Sequence, residues 1–487
     1  MSQTFYSVSA PAGSGKTYAL IGHAIAMAHN NQKLMIAQPS EVLINQTERD
    51  IKARDPSAKV TKILWNTVGS NTSVVTRILA HMAANTPGGE ILLISQQALG
   101  RLPKPYRQFW HLVVDEVPGA FQTHSMNIAK SHGWITQHMA LGEPLVGDNF
   151  VVEASDVNGL RQLAANQTRD TALALFKLLA EDVLNPDKIV VVNRDAYEKL
   201  VAGQGTRTAV DFFSFQKSDY VTDFASTTVM GANFDDTELA KIWEKLDSIE
   251  WKPHPVISQN LRYTTHQSGN RLTIKYLIHG NWSQYFGSKR HDNGTVLDRI
   301  AEVMAGELGD EFLWQANKKH ENLFFDGERL PQMVHGINRR SYQSKHGVAL
   351  VKAINHSSGP AAFLKDIGFT AEELKVTLQY QNEYQAMMRC SLRDPNAKAD
   401  VTVCVVSEGS ARWLERLFPG SRVEKIASDI PEPNASGQPA PIPKSQAERT
   451  WDSRELAKVR EAAARGEVYE ARPWTPRKSK TRLFKIR

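Results

Sequence analysis

The chain has 487 residues, 41% of them apolar and 23% charged, which is the balance of a soluble globular protein too long for one core. No run approaches about eighteen consecutive apolar residues and the first residues carry no signal-peptide pattern, while the two cysteines, Cys390 and Cys404, exclude a disulfide scaffold, a four-cysteine zinc site and a thiolate-held iron–sulfur cluster, so a reduced, cytoplasmic protein is expected. The net charge of +6 lies wholly in residues 431–487, where thirteen Lys/Arg face seven Asp/Glu.

Residues 5–8, 33–37, 60–65, 90–94 and 111–114 read as short apolar strands, and 17–29, 40–53 and 73–84 carry helical spacing. Strands alternating with helices predict βαβ units and a parallel sheet covered on both faces. Between the first strand and the first helix, residues 10–17 read Ala-Pro-Ala-Gly-Ser-Gly-Lys-Thr. Ala12, Gly13, Ser14 and Gly15 can turn backbone amides toward phosphate oxygens at a helix N-terminus. Lys16 would reach the β- and γ-phosphates of ATP, and the Thr17 hydroxyl would take a place on Mg²⁺. The pattern G-x-x-x-x-G-K-[ST] is met except that Ala10 stands at its first glycine.

The strand at 111–114 runs into Asp115 and Glu116. The first carboxylate suits the metal, and the second suits orienting and deprotonating an attacking water. Neighbours on a strand point to opposite faces, so both reach one site only if the strand ends there.

From about 122 to 205 the rhythm breaks into an α/β insertion. Its helix at 168–184 puts Ala172, Leu175, Phe176, Leu179 and Val183 on one face, and 188–192 reads as a buried strand. Strand character returns at 208–215 and 220–225. A second α/β region begins near Pro255, with strands at 273–278, 311–315, 348–353 and 401–406. Five of the thirteen residues at 431–443 are proline, a stiff extended linker, followed by a charged helix at 454–465 and a basic end. The expected division is 1–250, 251–430 and 431–487. Trp282 and Trp314 read as core, and His279, His335 and His346 show no metal spacing.

Residues 10–17 together with Asp115-Glu116-Val117-Pro118 resemble motifs I and II of superfamily 2 (DEAD/DEAH-like) helicases, A-x-x-G-x-G-K-T and D-E-x-x. Alanine is common in that family at the position of Ala10. Pro118 stands where the family usually has His or Asp, and no glutamine motif for adenine precedes the loop. Further segments resemble the family in order. Gln38, Pro39 and Ser40 match a motif that touches the nucleic-acid backbone, as do Ser95 and Gln96. Ser226 and Thr227 match the S-A-T motif that couples ATP to the nucleic acid, and Gly336 and Asn338 match motif V. Gln385, Arg389 and Arg393 match motif VI, whose glutamine and arginines face the γ-phosphate across the cleft; spacing favours Arg389 as the finger.

The resemblance implies two RecA-like P-loop domains, ATP and Mg²⁺ between them, and a motor that moves along and unwinds nucleic acid. Single-stranded or forked DNA is the expected partner, RNA less so, with no membrane and a phage- or plasmid-type replication or recombination role. Rival readings are a duplex translocase without strand separation and an ATP-binding scaffold. The segment 472–487 carries seven basic residues with Trp474 and Phe484 interleaved. It reads as a strand-gripping arm, a docking site for a replication protein, or a solvated end.

Overall fold

The computed structural model describes residues 4–65, 72–204, 209–324, 326–334 and 339–433, with scattered positions from 451 to 469. Among the described residues are three large sheets and a two-stranded ribbon, Arg290–His291 with Gly294–Thr295. Seven strands form the first, in the order Trp251–Pro253, Phe5–Ser9, Ser226–Gly231, His111–Asp115, Lys33–Gln38, Glu90–Ser95 and Val60–Lys62, all parallel. Lys33–Gln38 is buried throughout and Leu112–Asp115 likewise, as parallel strands sandwiched by helices require. The helices Lys16–His29, Glu41–Arg54 and Val74–Ala84 follow their strands. Ser40 and Ser73 cap the latter two, accepting from the amides of Leu43 and Thr76.

A six-stranded parallel sheet follows, ordered Glu328–Arg329, Phe312–Gln315, Gly347–Leu350, Val401–Ser407, Leu272–Ile278 and Arg422–Lys425. The expected class, α/β with two parallel sheets and an α/β insertion, is the one observed. Trp282 and Trp314 are buried in the core of this second unit.

The insertion is an antiparallel five-stranded sheet, ordered Phe121–Met126, Val210–Gln216, Lys188–Asn193, Asn149–Ala154 and Met139–Val146. It runs about ten residues past its expected end. Val210–Gln216, expected in the first sheet, pairs instead with both Phe121–Met126 and Lys188–Asn193. The strand expected at 220–225 is a short 3₁₀ turn, Ser218–Val221, followed by a left-handed Asp223. The chain re-enters the first sheet only at Ser226. In the insertion helix Thr171–Leu184, Phe176 and Leu179 are buried but Leu175 is 51% exposed.

One face of the insertion sheet grips the second unit. Phe363, on the helix Ser358–Asp366, stacks on Phe213 at 4.7 Å and on Phe121 at 6.0 Å between ring centroids. Leu364, Ile367 and Phe369 join the same core. The two parallel sheets are thus held by an apolar joint between the insertion and the second unit.

Candidate active site

All strands of the first sheet run the same way, so their C-terminal ends share one edge. Ser9 leads there into the phosphate loop. Gly13 and Gly15 have φ of 85° and 84°, in the left-handed region where glycine is free of the Cβ penalty. Gly15 caps the helix Lys16–His29, which has no side-chain cap and no acidic residue in its first turn. Its leading amides and dipole are therefore available to an anion. The Lys16 ammonium donates to the carbonyls of Ala10 (2.9 Å) and Pro11 (3.0 Å). Burial pushes its pKa down to about 8, helped by Arg393 and opposed by Glu116 and Asp115. Ser14 is fully buried with a hydroxyl that finds no partner among the described residues.

Asp115 ends the strand His111–Asp115, and Glu116 adopts a φ of 75°, left-handed for a non-glycine residue. That turn breaks the alternation of the strand where two adjacent carboxylates are needed. The Thr17 hydroxyl lies 3.5 Å from Asp115 Oδ2. Gln38 Nε2 donates to the same oxygen at 2.8 Å, and Gln96 Nε2 donates to the carbonyls of Asp115 (3.1 Å) and Glu116 (2.7 Å). Burial, then the charge of Glu116, push the Asp115 pKa up to about 6. A hydroxyl and a carboxylate beside a second carboxylate form an all-oxygen set, which fits a hard divalent cation such as Mg²⁺. Thr17 and Asp115 are the residues that would hold it.

The second unit closes the other side. The amide of Ala12 donates to the Tyr384 hydroxyl (2.7 Å), which also meets His266 Nε2 at 2.8 Å. The Tyr263 hydroxyl donates to the carbonyl of Ala12 at 3.1 Å. Burial drives the His266 pKa down to about 4, so its ring, stacked on Phe418 at 4.0 Å, is neutral near pH 7. Next to Tyr384, Gln385 accepts from Arg389 through both its backbone carbonyl (2.9 Å) and its Oε1 (3.0 Å). Arg389 is nearly buried, with a pKa lowered to about 10 by desolvation and then by Arg393. Arg393 also packs against the loop, its Cγ and carbonyl 3.8 Å from where a Cβ on Gly13 would stand.

Two arginines of one unit thus face the phosphate loop and carboxylates of another. No family model matches the chain, and no curated protein matches it. Among solved structures it is similar to an XPD helicase, with 10% identity over 87% of this chain and 96% of that one at a TM-score of 0.47. S. cerevisiae Dbp5 bound to RNA and ADP BeF3 is 10% identical over 94% of this chain and 89% of that one, at 0.35. A DEAD box protein from the hyperthermophile Methanococcus jannaschii is 9% identical over 88% and 89%, at 0.27.

Ala12, Gly13, Ser14, Gly15, Lys16, Thr17, Asp115, Glu116, Gln385, Arg389 and Arg393 are thus brought together. Other expected positions fall elsewhere. Gln38 is fully buried between Thr47 and Asp115, so it supports the carboxylate and has no surface for a nucleic-acid backbone. Gln96 is likewise committed to the Asp115–Glu116 backbone, and Ser95 caps its short helix. Pro39 and Ser40 are exposed at the C-terminal edge of the sheet, where Ser40 caps the next helix.

Ser226 and Thr227 lie at the wrong end of their strand for the S-A-T role. They begin it, paired with His111 and Leu112 at the N-terminal edge, whereas Gly231 pairs with Ser9. Ser226 bonds His111 Nδ1 (2.7 Å), and Thr227 is buried against the Val221 carbonyl (2.7 Å). Gly231, Ala232 and Asn233 occupy the catalytic edge. Ala10 donates to the Gly231 carbonyl at 3.3 Å, and Gln381 to that of Asn233 at 3.2 Å, linking loop, strand end and second unit. Gly336 and Asn338 lie outside the described residues. Sequence reading missed Tyr263, His266 and Tyr384; only the adjacency of Tyr384 to Gln385 could have signalled any of them.

Proposed function

We propose that this chain is a nucleic-acid-dependent ATP hydrolase of the superfamily 2 helicase kind, a motor that moves along DNA and separates its strands. The observation that carries the reading is the approach of Arg393, from the second unit, to Gly13 and Lys16 in the first, with Arg389 and Arg393 both near Glu116. In this reading the leading amides of the helix Lys16–His29 and the Lys16 ammonium hold the phosphates. A bound polyphosphate reverses the depression of the lysine pKa by supplying the anion that burial lacks. Mg²⁺ held by Thr17 and Asp115 would neutralise phosphate charge. Glu116 takes the proton of the attacking water, and the arginines stabilise charge developing on the transferred group, a contribution of about 10³–10⁵ in rate for a finger of this kind.

Arginines that act only when the cleft is shut make hydrolysis depend on closure, and closure moves Pro39 and Ser40 relative to the second sheet. A cycle of closing and opening is then a step along a strand, gripped by its phosphates and indifferent to sequence. Replication or recombination of a phage or plasmid type is the setting we propose, with a replication protein as a further partner of the C-terminal segment. The test is phosphate release by purified protein alone and with single-stranded DNA, RNA or duplex DNA. Stimulation by single-stranded DNA above the other two is the expected result. Stimulation by RNA alone would move the substrate class, and hydrolysis unaffected by any polymer would replace the motor with a nucleotide switch.

A further inference from the structure

One residue past the phosphate loop, on the outer face of its helix, stands an aromatic ring that no core claims. Tyr18 directly follows Thr17 and is 56% exposed. Two guanidinium groups flank it. Arg54, from the end of the helix Glu41–Arg54, has its central carbon 4.8 Å from the Tyr18 ring centroid and donates to the Tyr18 carbonyl at 3.4 Å. Arg262, from the segment joining the two units, has its own 5.4 Å from the same centroid.

Arg262 is placed by the loop. Its amide donates to the Ser14 carbonyl at 2.9 Å, and its side chain lies against Gly15, where a Cβ would come within 3.2 Å of Cγ. Among the described residues neither guanidinium is paired with a carboxylate. Two like charges gathered on one exposed ring repel each other, and no carboxylate among the described residues pairs with either to offset that repulsion. A planar, anionic ligand would, through stacking and through its phosphate charge.

We propose that Tyr18, Arg54 and Arg262 form the nucleobase end of the nucleotide site, with a purine stacked on the Tyr18 ring and the guanidinium groups taking charge near its α-phosphate. This rests on residues 10–17 being a phosphate loop. Stacking reads the face of a base and is tolerant of its identity, whereas strong discrimination needs hydrogen bonds to the base edge. A tyrosine face and two guanidinium groups, which only donate, supply no donor–acceptor pattern that matches one base edge alone. The site therefore takes ATP and GTP with similar affinity.

The test is calorimetric titration with ATP, GTP and inorganic tripolyphosphate, each with Mg²⁺, of the full chain and of Tyr18→Ala, Tyr18→Phe and Arg262→Ala. The expected outcome is wild-type ATP and GTP affinities within about three-fold, and a loss of about ten-fold for both in Tyr18→Ala. Tripolyphosphate affinity should be unchanged in Tyr18→Ala and reduced in Arg262→Ala, and Tyr18→Phe should bind ATP like the wild type. Unchanged ATP affinity in Tyr18→Ala, an equal loss for tripolyphosphate there, or a wild-type preference for ATP over GTP beyond about ten-fold would overturn the proposal. A wild type that binds neither ATP nor tripolyphosphate would overturn the phosphate-loop reading itself, a result distinct from all of these.

Discussion

Glu116 holds a backbone conformation that a non-glycine residue seldom adopts, and it does so beside a buried carboxylate and a buried ammonium. Strain of this kind persists where the surroundings impose it, and it clusters at functional sites. Glu116→Gln keeps the shape and removes the base, so turnover should fall by about 10²–10⁴ while nucleotide affinity survives. Single-turnover hydrolysis alongside equilibrium binding separates the two, and near-normal turnover would take the residue out of the mechanism. The arginines can be ranked in the same assay. Arg393 lies against Gly13 of the phosphate loop and its charge bears on Lys16, whereas Arg389 is tethered to Gln385. Arg393→Ala should therefore lower turnover at least as steeply as Arg389→Ala, the reverse of the order that motif spacing suggests. The chemistry-bearing residues were legible because each sits in a local pattern: glycines before Lys16, an apolar strand before Asp115. The burial of Gln38 was not, because it depends on the Lys33–Gln38 strand lying beside His111–Asp115, and strand order is a property of the sheet.

Element boundaries were the weaker part of the sequence reading, and the reason is visible at Val210–Gln216 and Ser226–Gly231. Val210–Gln216 has an apolar content that suits either sheet, and Ser226–Gly231, Ser-Thr-Thr-Val-Met-Gly, has a weak strand signal. Only the antiparallel partners at Phe121–Met126 and Lys188–Asn193 assign the first to the insertion, and a left-handed Asp223 delays the second. The delay carried the candidate Ser226 and Thr227 to the far edge of the sheet. The helix Glu238–Leu246, downstream of that strand, begins with a charge that the fold does not welcome. Burial pushes the Glu238 pKa up to about 7 from an ordinary 4.5, the one offsetting hydrogen bond coming from the backbone of Phe121. His356, from the second unit, lies 3.8 Å away, its own pKa lowered by burial. A carboxyl whose folded pKa is raised binds more protons in the folded state, so stability is lost as pH climbs from about 4.5 to about 7 and is flat above. Glu238→Gln should remove that slope. Denaturation by urea at pH 5 and pH 8 should find the variant more stable at pH 8 by up to about 2–3 kcal/mol and little different at pH 5. A wild type and variant that differ equally at both values would show the carboxyl ionised throughout.

Across the whole molecule the units meet at the phosphate loop, at the Phe363 stack, and along an ionic seam where Lys241 and Lys245 reach Glu373 at 4.0 and 3.5 Å. The first was expected from the resemblance of Gln385, Arg389 and Arg393 to a motif that faces the γ-phosphate, whereas the other two were not legible from sequence, since each couples residues more than a hundred positions apart. The basic end is the opposite case, a feature that composition shows and that lies outside the described residues. Residues 1–430 balance in charge, so a polyanion drawn to this protein by net charge is drawn to its C-terminal segment. Between 472 and 487 stand Arg472, Arg477, Lys478, Lys480, Arg482, Lys485 and Arg487, with Trp474 and Phe484 among them. Each phosphate neutralised on a single strand contributes about −0.7 to the slope of log affinity against log salt, so four to seven contacts contribute roughly −3 to −5. Deleting 472–487 should flatten the measured slope by that amount and weaken binding at moderate salt. Turnover at saturating nucleic acid should barely change, because Lys16, Glu116 and the two arginines are untouched. A deletion that leaves the slope as it was would rule out phosphate contacts by this segment and leave docking of a protein partner as its better explanation.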